Sequence, residues 1–140
     1  MKILRLLMIF AKIQLPIQTL GGVDWQTRRM GDPTYSSGPA SEMGFSSVDL
    51  PESNTDTVLE GEIGDGTMKR SASVFAHTSG TSSYTVTRSV IADRPITLYR
   101  MGIFSEDGIL VFVKSFGEPM VLTPGDPLQV THTITVNQGS

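Results

Sequence analysis

The chain has 140 residues, no cysteine, and 11 basic against 14 acidic residues, a formal net charge of −3. This length suits one domain with one core, because a chain of this size buries roughly two-thirds of its unfolded surface. The absence of cysteine excludes disulfides, thiolate metal sites and cysteine nucleophiles, so stability has to come from burial or assembly.

The charge is unevenly placed. Residues 1–29 carry Lys2, Arg5, Lys12, Arg28 and Arg29 against Asp24 alone, whereas residues 30–68 hold eight acidic residues and no Lys or Arg. Blocks of opposite sign can register one part of a chain on another, or one subunit on its neighbour; the plainer alternative is a solvated acidic loop. The acidic block would repel phosphate and there is no basic-aromatic platform, which argues against a nucleic-acid partner.

Met1 to Phe10 has the basic-then-apolar order of a signal peptide, but Arg5 interrupts the apolar run and no small-residue cleavage pattern follows. It is also too short for a membrane span, which needs about 20 apolar residues. It therefore reads as a retained structural segment. From Ile3 to Leu15 both helix and strand fit, since short apolar runs do not declare their period; if extended, the segment can pair with a sheet edge on a neighbouring subunit. After Gly21-Gly22, Val23 to Met30 reads as a short strand containing the one tryptophan, Trp25. Gly31 to Asn54 is Gly-, Pro- and Ser-rich and reads as a long loop or arm of the kind that is usually functional. Thr55 or Asp56 can cap a helical turn running to Glu62 and ended by Gly64-Asp65-Gly66.

The second half reads as β. Met68 to His77 and Tyr84 to Ile91 form a hairpin across Ser79-Gly80-Thr81-Ser82, and Ile96 to Phe104 and Ile109 to Phe116 form another across the Asp107-Gly108 reversal. Pro119 and Thr123-Pro124-Gly125-Asp126-Pro127 mark a further loop. Leu128 to Val136 then alternates strictly, with Leu128, Val130, His132, Ile134 and Val136 on one face and threonines with Gln129 on the other. Short strands at this spacing predict an antiparallel β-sandwich, jelly-roll-like, over residues 21–140, with residues 1–20 as an extended N-terminal arm and 31–56 as a long loop.

Catalytic chemistry is not legible. His132 sits on the alternating face, where a packing role outweighs a ligand role, and His77 stands at a strand end. Neither has carboxylates at a metal-ligand spacing. Glu60, Glu62 and Asp65 lack EF-hand spacing and read as a solvated turn or as partners of Arg28 and Arg29. No nucleophile elbow, phosphate loop or dinucleotide fingerprint is present. Tyr99, Phe104, Phe112 and Phe116 read as core and cross-strand packing. No enzyme, cofactor or metal is expected.

The order of segments carries more information than any one motif. Gly22-Val23-Asp24-Trp25 precedes a Gly/Pro/Ser loop, then Thr55-Asp56-Thr57-Val58-Leu59-Glu60-Gly61-Glu62-Ile63, Arg70, Ile96 to Gly108 with its Gly102-Ile103-Phe104 and Asp107-Gly108, and finally Gly125 to Thr135. Over residues 20–136 this resembles a group of bacteriophage virion proteins. It departs at Arg100-Met101, where that group has an acidic residue before the glycine. The resemblance implies a structural role without active-site residues: a capsid decoration, or cement, protein that binds and stabilises the assembled shell, or else a tail or fibre-base component. A carbohydrate-binding sandwich stands third. On the leading reading the partner is the major capsid protein, or tail proteins for the alternative; the chain is a dimer or trimer, and the location is the virion surface after synthesis in the host cytoplasm. Nucleic acid and membrane are not expected as partners. Lys2, Arg5, Phe10, Lys12, Trp25, Arg28, Arg29, Tyr35 and Phe45 are the contact candidates, on arms that gain order by lying on a neighbour.

Overall fold

A computed structural model describes residues 17–135, and the strand backbone of residues 9–14. Its strands are β1 (Ile9–Gln14), β2 (Ile17–Gln18), β3 (Ala40–Ser46), β4 (Ser71–Ala72), β5 (Val74–His77), β6 (Ser83–Ile91), β7 (Ile96–Ser105), β8 (Leu110–Leu122) and β9 (Pro127–Thr135). A single α-helix among the described residues, α1 (Leu20–Gly31), follows β2, and a 3-10 turn spans Gly66–Met68. The strands form two sheets, ordered β1-β9-β6-β5 and β2-β8-β7-β3-β4. All pairings are antiparallel except β1 on β9, which is parallel.

The expected antiparallel β-sandwich is what forms. β7 and β8 are a tight hairpin in the second sheet, and their continuations β6 and β9 pair in the first. One long hairpin is thus folded over itself, its inner half in one sheet and its outer half in the other. The fold-over puts Val86, Val90, Leu128, Val130 and Ile134 of one sheet into a common core with Met43, Phe45, Leu98, Met101, Ile103 and Leu122 of the other. The alternation read from Leu128 onward holds through Thr135, while Val136 lies outside the described residues.

Several local expectations are corrected. Val23 to Met30 is helical, not a strand. Thr19 caps α1 by accepting the Gly22 N–H at 2.9 Å, and Arg28 and Arg29 occupy the last turn, where the helix dipole favours cations. Gly21-Gly22 is therefore not a breaker. A Cβ on Gly22 would lie 2.3 Å from the Val111 carbonyl oxygen, so this glycine is what lets the helix backbone lie directly on β8.

The stretch 31–54 is not all loop, because β3 lies within it. Met43 and Phe45 are fully buried, and β3 pairs with both β7 and β4. No helix spans Thr55 to Glu62: Asp56 accepts the Ser53 N–H at 2.9 Å, and the chain runs on in turns. The strand expected over 68–77 divides at Ser73, β4 joining one sheet and β5 the other. β8 runs through Pro119 to Leu122. Its pairing moves from Arg100↔Ser115 to Leu98↔Met120, two residues on β7 against five on β8, so the proline sits in a bulge where no ladder donor is needed. The segment expected as an arm supplies β1 and β2, one strand for each sheet.

Candidate interaction surface

Four of the nine contact candidates come together on one end of the sandwich. Trp25 donates through Nε1 to Ser37 Oγ (3.1 Å) and to the Gly38 carbonyl (3.3 Å). Arg29 donates to the Ser37 carbonyl at 2.6 Å and lies 5.2 Å from the Trp25 ring centre. One turn away, the Arg28 guanidinium covers the Tyr35 ring at 4.2 Å and reaches Asp32 at 3.7 Å. Hydrogen bonds from Thr34, and then the charge of Arg28, hold the Asp32 carboxyl below its ordinary value. Residues 32–39 are thereby clasped between α1 and the β7–β8 turn, where Ser37 and Ser105 both donate to Asp107. Their hydrogen bonds hold the Asp107 carboxyl down as well.

Phe45 does not belong to this group. It is fully buried in the core, with the Arg88 guanidinium 5.1 Å from its ring centre, so it is corrected from a contact candidate to a core residue. Periodicity was the available signal: Met43, Phe45 and the intervening glycine alternate as a strand does, inside a text otherwise rich in loop residues. Lys2 and Arg5 lie outside the described residues, and for Phe10 and Lys12 the backbone alone is described.

Half of the acidic block is ion-paired within the chain: Asp32 with Arg28, and three more residues with cations of the second half. Glu62 takes a bidentate pair of bonds from Arg70 (2.8 and 2.6 Å), whose guanidinium also stacks on Phe104 at 3.4 Å. Asp65 pairs with Arg94 at 2.9 Å, and Glu52 with Lys114 at 3.3 Å. Two buried arginines then bind main chain instead of carboxylates. Arg88 donates to the Met43 and Thr67 carbonyls (2.6 and 3.0 Å), and Arg100 to those of Val48 and Glu60 (3.3 and 2.7 Å). Five cations of the second half thus fasten residues 43–67 to the sandwich. This segment brings Leu59 onto Phe104, Leu110 and Val113, covering the second sheet.

These pairings separate Glu60, Glu62 and Asp65. Among the described residues no three His, Asp or Glu side chains converge to hold a metal. His77 is exposed, and its Nδ1 lies 3.0 Å from the Ser83 carbonyl oxygen. His132 is fully buried, with desolvation and then the charge of Lys114 pushing it down to about 4, so it is a neutral core residue at pH 7.

Among the described residues, large apolar side chains are exposed in three sets, and singly at Ile91 and Val121. On α1, Leu20, Val23 and Met30 recur at helical spacing and are exposed, Met30 by 81%. Val48, Leu50 and Val58 are exposed on the acidic segment. On β5, Val74 and Phe75 are 69% and 62% exposed. A groove of about 510 Å³ opens between α1 and the mouth of the sandwich, lined by Trp25, Arg29, Tyr84, Phe112 and Ile134 among others. No protein-family model matches the chain, and neither do any curated proteins or solved structures.

Proposed function

We propose that this chain is a structural subunit of a phage virion, a decoration protein that seats on the assembled shell and bridges its subunits, with no enzymatic role. The observation that supports it most is that eight of the ten exposed large hydrophobics fall in three sets, on α1, on residues 48–58 and on β5. Single exposed apolar residues are ordinary on a soluble protein, but sets of them on successive faces mark interaction surfaces. The Trp25–Arg29 and Arg28–Tyr35 stacks add residue types favoured in binding anchors. The segment order described above supplies the virion part of the reading. Many weak contacts on a symmetric shell would add through multivalency.

The test is the copy number of the chain in purified virions, by quantitative mass spectrometry. Hundreds of copies support a shell protein. A dozen or fewer move the assignment to the tail or fibre base, and absence from virions overturns both. Binding of the recombinant chain to undecorated shells, with a rise in their disruption temperature, is the companion measurement.

A further inference from the structure

We propose that the edge of β5, unpaired among the described residues, pairs with the same edge of a second copy, joining two four-stranded sheets across a two-fold axis. β5 is the terminal strand of its sheet, whose opposite edge is occupied by β1. All four of its residues are exposed. Edge strands are ordinarily guarded by lysine, proline or a bulge. None of these is present here: residues 71–87 contain no Asp, Glu, Lys, Arg or Pro, in a chain that is 18% charged, and the β5–β6 register runs without a shift.

Phe75 is the clearest sign of something missing. Its cross-strand partner is Val86, which points into the core, so Phe75 lies on the core-facing side of its sheet. The opposing sheet ends at β4, with Ala72, and the Phe75 ring stacks on Tyr84 at 5.4 Å while remaining 62% exposed.

The hydrogen-bond parity fixes which groups are available. The Ile91 carbonyl accepts from Thr67 Oγ1 and the Ser83 carbonyl lies against the His77 ring, so the odd-numbered residues of β6 turn their main-chain groups toward β5. Thr87 and Thr85 therefore bond to Val74 and Ala76, and Phe75 and His77 turn their N–H and C=O groups to the open edge. The Ser73 N–H is taken by the Ser41 carbonyl at 2.8 Å, so the open row begins at Phe75.

In an antiparallel pair outward-turned residues must face each other. Of the two-fold pairs that meet this condition, the one with four main-chain bonds sets Phe75 of one copy opposite His77 of the other, twice, with Ala76 facing Ala76 on the axis; Phe75 opposite Phe75 would set His77 against Ser73, whose N–H is already taken. The smallest side chain of the strand falls at the closest approach. An identical uncharged edge meets this one with no charge opposed, whereas a charged partner strand finds nothing to complement. Four main-chain hydrogen bonds and two Phe75 rings bury well under the about 800 Å² per partner of a standard interface, so the dimer is weak and reversible. This pairing goes beyond shell binding and does not depend on it: a chain that dimerises yet is absent from virions sinks the shell reading alone.

The experiment uses the full chain by sedimentation velocity from about 5 to about 500 µM, a range suited to a weak dimer. Wild type is expected to shift from monomer toward dimer across it. Ala76→Lys sets two ammonium groups side by side on the axis and should remain monomeric throughout, with an unchanged circular dichroism spectrum, because Ala76 is exposed. Ala76→Cys supplies the chain's one thiol at a pair whose Cα atoms lie about 4.5 Å apart, within disulfide reach, and should oxidise to a covalent dimer at least ten times faster than Phe75→Cys. A wild type that stays monomeric, self-association that survives Ala76→Lys, or an Ala76→Cys that cross-links no faster than Phe75→Cys overturns the proposal. Loss of the dimer in Ala76→Lys without cross-linking of Ala76→Cys would mean that a different segment lies on β5.

Discussion

His132 Nδ1 lies 3.2 Å from the Met101 sulfur, and its other ring nitrogen, Nε2, is buried with no hydrogen-bond partner among the described residues. A thioether is a weak acceptor, and Phe112 at 6.0 Å completes an apolar cage. The imidazole is therefore held neutral, down to about 4 by desolvation first and the charge of Lys114 second.

That depression makes the fold acid-sensitive. The unfolded chain takes up a proton near pH 6.5 and the folded chain near 4, so between those values the unfolded state binds more protons and stability falls as pH falls. The loss is complete near pH 4 and amounts to about 3 kcal/mol as an order of magnitude. His132→Leu removes the orphan nitrogen and should leave stability at pH 7 within about 1 kcal/mol of wild type while abolishing this component of the acid loss. Urea unfolding of both proteins at pH 7 and pH 4 checks it, and identical pH dependences would refute it.

Gly22→Ala should be among the most damaging one-carbon changes. The added methyl meets the Val111 carbonyl oxygen at 2.3 Å and Val111 Cα at 2.8 Å, both backbone atoms that cannot step aside. The helix has to lift from β8, at a cost of about 2 kcal/mol or more. Gly31→Ala at the other end of α1 meets nothing within 4 Å and should stabilise by about 0.5 kcal/mol through propensity and unfolded-state entropy. Thermal unfolding of the pair gives shifts of opposite sign, and equal shifts would show that the contact is not what matters.

The contrast between these glycines explains what could be read beforehand. Strands β6, β7 and β9 are long and bury alternate residues or whole runs, so their period is visible in the text. α1 buries only Gly22 and shows its apolar residues to solvent, which removes the inward stripe by which helices are recognised. β3 is seven residues with a bulge between Ala40 and Glu42, too short and irregular for alternation to stand out from its Ser- and Gly-rich surroundings. Trp25, Arg28, Arg29 and Tyr35 could be selected as residue types suited to contacts, whereas only the brief alternation of Met43 and Phe45 set Phe45 apart from them, and β3 places it between the sheets. Apart from Asp32 with Arg28, four residues apart on the helix end, the partners of the acidic block were not legible because those pairings span from 8 to 62 residues and are set by the tertiary fold.

Trp25 offers a direct optical test of the α1 surface. It is the chain's one tryptophan, so emission reports a single environment. Arg29→Ala removes the guanidinium 5.2 Å from its ring and the bond to the Ser37 carbonyl, freeing residues 32–39 from α1. The expected result is a red-shifted emission and faster acrylamide quenching, with a melting temperature close to wild type because the site is exposed. Unaltered quenching would show that Arg29 does not hold this cluster.

Arg100 carries the last prediction. It is 2% exposed, has no carboxylate partner, and gives its donors to the carbonyls of Val48 and Glu60 on the segment that covers Leu110 and Val113. Arg100→Leu keeps the apolar stem but leaves the Val48 carbonyl without that donor, at a cost of about 2–4 kcal/mol by the scale of buried hydrogen bonds to charged groups. The damage should be local before it is global, since Leu59 and the Glu62–Arg70 pair remain. Limited proteolysis should cut within residues 47–61 at least ten times faster than in wild type, at a denaturant concentration where β6–β9 stays folded. Arg94→Ala is the control: its exposed pair with Asp65 holds the end of the segment, beyond residues 47–61, and its removal should leave cleavage within 47–61 unchanged. Equal protection in Arg100→Leu and wild type would place the anchoring of the segment in Leu59 and the Glu52–Lys114 and Glu62–Arg70 pairs.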